Sequence, residues 1–101
     1  MSKISLIAKL TAADGRADEL AAALASVVEA ADEEDGLEVY SAHRADDGTF
    51  YFFELYRDAD ALAVHGRGER MRAAMGALGG LLGGRPEIIQ MTPLVAKGLE
   101  I

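Results

Sequence analysis

Ile4, Leu6, Ala8 and Leu10 alternate with Ser5, Ile7 and Lys9, a period of two that predicts a strand over about residues 3–10. Thr11 to Gly15 breaks that pattern. From Arg16 to about Asp32 the chain is rich in Ala and Leu, and Leu20, Leu24, Val27, Val28 and Ala31 fall on one helical stripe. Asp14 is the expected N-cap, and Asp18 and Glu19 suit the positive end of the macrodipole. The acidic run Asp32-Glu33-Glu34-Asp35 sits badly at a helix C-terminus, so the helix should fray there into a solvated acidic loop before Gly36.

Alternation returns from Leu37 to Arg44, and Asp46-Asp47-Gly48 is a turn signal. Thr49 to Arg57 is the most β-prone stretch, so the two runs read as a hairpin. Asp58 caps a second helical region in which Leu62 and His65 share a face, with Gly66 and Gly68 expected to kink or interrupt it. Met71, Met75, Leu78 and Leu82, with Ala74, continue an apolar stripe. Gly79, Gly80, Gly83, Gly84 and Pro86 suit a C-cap and a flexible exit. A last strand is expected over Glu87 to Val95, with Pro93 marking an edge or exit, and residues 96–101 form a short tail.

The order β-α-β-β-α-β, with right-handed crossovers, predicts an α+β, ferredoxin-like arrangement: one domain with a four-stranded antiparallel sheet and helices on one face. The opposite face should then be polar in a monomer. It does not read so. Phe50, Phe52, Glu54 and Tyr56 share one face of the third strand, Tyr51, Phe53 and Leu55 the other, and Ile89 and Met91 extend the second apolar surface. Ser5 and Lys9 flank Ile7 there and dilute it. Each large side chain left in water forfeits ~1.5–3 kcal/mol. A two-fold dimer packing sheet on sheet covers such a surface with a copy of itself, so a homodimer is expected.

Composition narrows the chemistry. The 101 residues fit one globular domain and carry a formal charge of -7, which argues against nucleic-acid binding through phosphates. There is no cysteine, so disulfides, thiolate catalysis and cysteine-ligated metals are excluded together. Two histidines, His43 and His65, are too few for a histidine-rich metal site. No apolar run approaches the ~20 residues of a membrane span, and no signal-peptide pattern opens the chain, so a cytoplasmic location is expected.

With these pieces assembled, the layout resembles the antibiotic biosynthesis monooxygenase (ABM) domain superfamily. The likeness rests on Gly15 before a helix containing Glu19-Leu20, and on Gly36-Leu37 leading to Tyr40. It rests further on Phe50-Tyr51-Phe52-Phe53-Glu54-Leu55-Tyr56, and on Asp58-Ala59-Asp60-Ala61-Leu62 leading to His65. Tyr56 stands where the family usually has tryptophan, and Phe53 where it has the tyrosine before the glutamate. The resemblance implies a dimeric α+β barrel with a pocket between sheet and helices in each subunit. Some relatives oxygenate aromatic polyketides without metal or flavin, others cleave haem, and others act on quinols or signalling molecules. The haem-cleaving branch needs an axial histidine about ten residues past His65, where this chain has Met75, and an asparagine, of which it has none. Oxygenation of a free aromatic therefore ranks above haem cleavage.

His65 is the leading catalytic candidate, because a neutral imidazole can accept a phenolic or enolic proton near pH 7; the alternative is a structural histidine hydrogen-bonded to a carboxylate such as Glu54 or to backbone. Glu54, alone in an apolar strand, is a second candidate base or a structural partner for His65, Arg57 or Arg72. Tyr40 and Tyr56 could hydrogen-bond a phenolic substrate, and Phe52, Met71 and Met75 could line a pocket for a flat apolar ligand, although core packing is the default reading. His43, beside a turn, is expected at the surface. The expected function is a cofactor-independent monooxygenase of a small aromatic or quinol, with neither metal nor flavin. The alternatives are a non-catalytic hydrophobic-ligand or stress-related module, and a proton-transfer isomerase or lyase using His65 or Glu54.

Overall fold

The structure, a computed structural model, describes residues 2–101. The strands are β1 (Ile4–Leu10), β2 (Leu37–Arg44), β3 (Phe50–Tyr56) and β4 (Glu87–Met91), and the helices α1 (Ala17–Ala30), α2 (Ala59–Val64) and α3 (Glu69–Gly76). The strands form one antiparallel sheet in the order β2-β3-β1-β4, the ferredoxin-like α+β topology.

Register fixes which side chains face the helices. β1 places Leu6 opposite Glu54, Ala8 opposite Phe52 and Leu10 opposite Phe50, and β2 places Tyr40 opposite Glu54. The helix-covered face of β3 is therefore Phe50, Phe52, Glu54 and Tyr56, a choice that alternation alone leaves open. Leu20, Leu24, Val27 and Ala30 of α1 pack onto it, with Met71 and Leu78 closing the same core.

On the uncovered face, Ile7 lies opposite both Phe53 and Ile89, and Val39 lies opposite Leu55. Ile89 is 58% exposed, whereas Leu55 is only 2% exposed. The difference comes from the C-terminal stretch: the Lys3 ammonium donates to the Glu100 carbonyl, and Leu99 lines one hollow with Val39 and Leu55. Elsewhere on this face Ile7, Phe53 and Met91 are half-buried in a single chain.

Several expectations are corrected. The α1 N-cap is Arg16 rather than Asp14, and no side chain caps it; Asp18 and Glu19 do occupy the first turn. Helix α1 tightens into a 3-10 turn over Ala31–Glu33. The glycine-rich exit is pinned: Ala13 donates its N–H to the Leu81 carbonyl and Gly83 donates to the Thr11 carbonyl. A Cβ at Gly83 would lie 2.8 Å from the Ala12 carbonyl oxygen, so glycine here serves close approach rather than flexibility. Strand β4 ends at Met91, ahead of Pro93, instead of reaching Val95.

Candidate functional site

Helix α2 is short because its two ends are chemically marked. Asp58 accepts the Ala61 N–H at 2.9 Å through its side chain, and Gly66, at φ 80°, turns the chain away after His65. His65 thus sits at the C-cap, its N–H on the Leu62 carbonyl at 3.2 Å. From there the imidazole lies over the middle of β2 and β3. Its ring meets Tyr40 edge-on at 5.4 Å between centroids and Tyr56 edge-on at 5.6 Å, and Tyr40 itself stacks on Phe52 at 4.7 Å.

These rings wall a cavity of about 340 Å³ between the sheet and the helices. His65, Tyr40, Glu54 and Tyr56 supply its polar groups, and Phe52, Leu62 and Leu78 much of its apolar surface. Met75 and Ile88, both partly in solvent, line it as well. A cavity of that size, largely apolar with a few convergent polar groups, is the ordinary form of a small-molecule site.

Electrostatics follow from burial. The Tyr56 hydroxyl donates to Glu54 Oε1, and His65 Nε2 stands 3.9 Å from that same oxygen. Desolvation holds the Glu54 carboxyl above its ordinary range; the Tyr56 hydrogen bond and His65 pull it back down, and Glu34 pushes it further up. Both tyrosines are pushed well above the ordinary phenol value. Burial is the first cause for each, followed for Tyr56 by its hydrogen bond to Glu54 and for Tyr40 by the Glu54 charge. Both hydroxyls therefore stay protonated across the working pH range, and the Tyr56 hydrogen is held by Glu54. No group of three or more His, Asp or Glu side chains among the described residues is arranged to hold a metal ion.

Of the residues singled out from sequence, His65, Glu54, Tyr40, Tyr56, Phe52 and Met75 come together at this cavity. Met71 does not. It is 1% exposed and belongs to the core cluster with Leu24 and Val27, whereas Met75, one turn further along the same face of α3, lies past that core and reaches the cavity. His43 is exposed and pairs with Ser41 at 2.9 Å. Glu54 partners Tyr56 rather than an arginine, and Arg57 instead pairs with Asp58 at 3.5 Å.

Glu34 is the residue the sequence concealed. Read as part of a solvated acidic run, its side chain is 10% exposed and its Oε1 lies 2.7 Å from His65 Nδ1. The only signal was its place two residues before Gly36, in the segment leading to β2.

Comparison with known proteins agrees with this architecture. The family model for antibiotic biosynthesis monooxygenases matches residues 3–77, and the chain belongs to that family. A solved Pseudomonas aeruginosa structure is 31% identical and aligns over 94% of this chain and 97% of that one, with a TM-score of 0.82. A Nitrosomonas europaea protein of unknown function is 30% identical, over 99% and 97% of the two chains, with a TM-score of 0.84. A Mycobacterium tuberculosis structure is 25% identical, over 94% and 98%, with a TM-score of 0.83. No match was found among curated proteins. Among the described residues no helix is long and apolar enough to cross a membrane.

Proposed function

We propose that the chain is a monooxygenase that needs neither metal nor flavin and acts on a small aromatic or quinol bound in the 340 Å³ cavity. The observation that carries the reading is the placement of His65 Nε2 in an apolar, ring-lined cavity beside Glu54, between the rings of Tyr40 and Tyr56. Substrate enters past Met75 and Ile88 and stacks against Tyr40 and Phe52. His65 Nε2 takes an acidic O–H or activated C–H proton, and the Glu34 and Glu54 carboxylates stabilise the resulting imidazolium.

The geometry supports proton removal, and family membership supports the oxygen step. For an activated methylene, the carbanion passes one electron to dioxygen, and the radical pair combines into a carbon–oxygen bond. The imidazolium returns its proton to the peroxide. Loss of the second C–H proton with O–O cleavage then leaves a carbonyl. One oxygen atom stays on carbon and the other departs as water.

Oxygen uptake tests this reading. Anthrone-like or hydroquinone substrates should drive saturable uptake, and His65→Gln should reduce it by about 10²–10⁴-fold, the usual contribution of a general base. Absence of uptake above the variant with both substrate classes overturns the reading. Turnover persisting under strict anaerobiosis would instead assign the site to an isomerase or lyase.

The same reading includes a homodimer packed through the uncovered sheet face. Ile7, Val39, Phe53, Ile89 and Met91 give that face its apolar character, and a two-fold partner presents the same side chains in return.

A further inference from the structure

We infer that Glu34 is a positioning residue that fixes the tautomer and orientation of His65, so that Nε2 is the unprotonated nitrogen facing the cavity. The inference deepens the reading of His65 as the base, yet it concerns the resting protein and can be tested without substrate.

Glu34 donates its N–H to the Ala31 carbonyl at 2.9 Å and its own carbonyl accepts the Leu37 N–H at 3.0 Å, so the residue is clamped from both sides of its turn. That turn is docked on α2. The backbone N–H of Arg57, just ahead of α2, donates to the Gly36 carbonyl at 2.8 Å, and Gly36 lies against Ala61 of α2 with no room for a methyl group. The segment bearing Glu34 and the helix bearing His65 are thereby held as one unit.

The side chains complete the device. Glu34 Oε1 is 2.7 Å from His65 Nδ1, with the two side chains 10% and 14% exposed. An ionised carboxylate only accepts, so Nδ1 carries the hydrogen and donates it. In a neutral imidazole Nε2 is then left with its lone pair. Glu34 Oε2 is buried with no hydrogen-bond partner among the described residues, so the imidazole is the one group that compensates this carboxylate. A carboxylate serving only as surface decoration would not be desolvated in this way. Glu54 occupies the other side of the ring, but at 3.9 Å from Nε2 it makes no hydrogen bond there.

Ring nitrogen-15 NMR of the full chain, at a pH well above the ordinary imidazole range, reads the tautomer directly. A His65→Gln sample separates the His43 signals. Wild type should show Nδ1–H dominant at His65, favoured at least about tenfold by the charge-assisted bond. Glu34→Leu should shift the population toward Nε2–H, the more abundant form of an unconstrained imidazole. Glu34→Gln should weaken the bias to Nδ1–H, because its amide can accept from Nδ1–H or donate to a bare Nδ1. Circular dichroism confirms that each variant is folded. If Glu34→Leu does not fold, the wild-type spectrum decides the matter. A wild-type spectrum dominated by Nε2–H, or by an imidazolium protonated on both nitrogens, overturns the inference. So does a Glu34→Leu spectrum unchanged from wild type. Loss of oxygenase activity with the wild-type tautomer intact would instead count against the functional reading alone.

Discussion

Gly36 lies directly against Ala61, so close that a methyl group on the glycine would overlap the alanine side chain. The contact joins the turn after α1 to helix α2, the two segments that carry Glu34 and His65. Gly36→Ala should therefore destabilise the fold by about 1–3 kcal/mol through overpacking. It should also disturb the Glu34–His65 pair, visible in the ring nitrogen-15 spectrum. Gly76→Ala, at an exposed helical position with open space around it, should be neutral or stabilising by up to about 1 kcal/mol. Urea denaturation of the two variants checks the contrast.

Tyr56 is fully buried and donates to Glu54, which is buried too. Tyr56→Phe keeps the ring and removes the donor, leaving a carboxylate oxygen without its hydrogen bond. A loss of about 1–3 kcal/mol is expected by chemical denaturation. Loss of under about 0.5 kcal/mol would mean that Glu54 finds another partner.

Desolvation raises Glu54 above its ordinary value of 4.5, and this has a signed consequence for stability. Between the unfolded and folded values the native state binds the extra proton, so stability falls as pH rises through that window. Glu54→Gln keeps an acceptor for Tyr56 and removes the charge. Its melting temperature relative to wild type should thus rise as pH increases above 4.5, and the two proteins should converge at lower pH. A difference independent of pH would show that the burial cost is relieved elsewhere.

Phe53 and Ile89 stand on the uncovered sheet face, each opposite Ile7. Phe53→Asp and Ile89→Asp should each shift sedimentation from dimer to monomer without unfolding the chain. Unchanged sedimentation in both would remove the sheet-on-sheet arrangement.

Sequence patterning located the elements well because the sheet is half-covered. Alternation in Ile4–Leu10 and the glycines at Gly66 and Gly68 marked their elements, whereas an irregularity in β2 turns Leu37 to the core and Val39 to the opposite face, against simple alternation. The site was legible where chemistry stood out from its surroundings, as with Glu54 among apolar neighbours and His65 beside Leu62. Glu34 was not legible, since its burial comes from Gly36 packing on Ala61, a contact between segments far apart in the chain. Met71 and Met75 lie on the same stripe, and only the seating of α3 on α1 decides which of them meets the core and which the cavity.

The central claim is that His65 removes a proton from a molecule held in the cavity. Deuterium exchange at the acidic C–H of an anthrone-like substrate, followed by proton NMR in D2O without oxygen, tests it most directly. The account predicts enzyme-dependent exchange that falls by about 10²–10⁴-fold in His65→Gln. Exchange at the same rate in wild type, variant and buffer would contradict it.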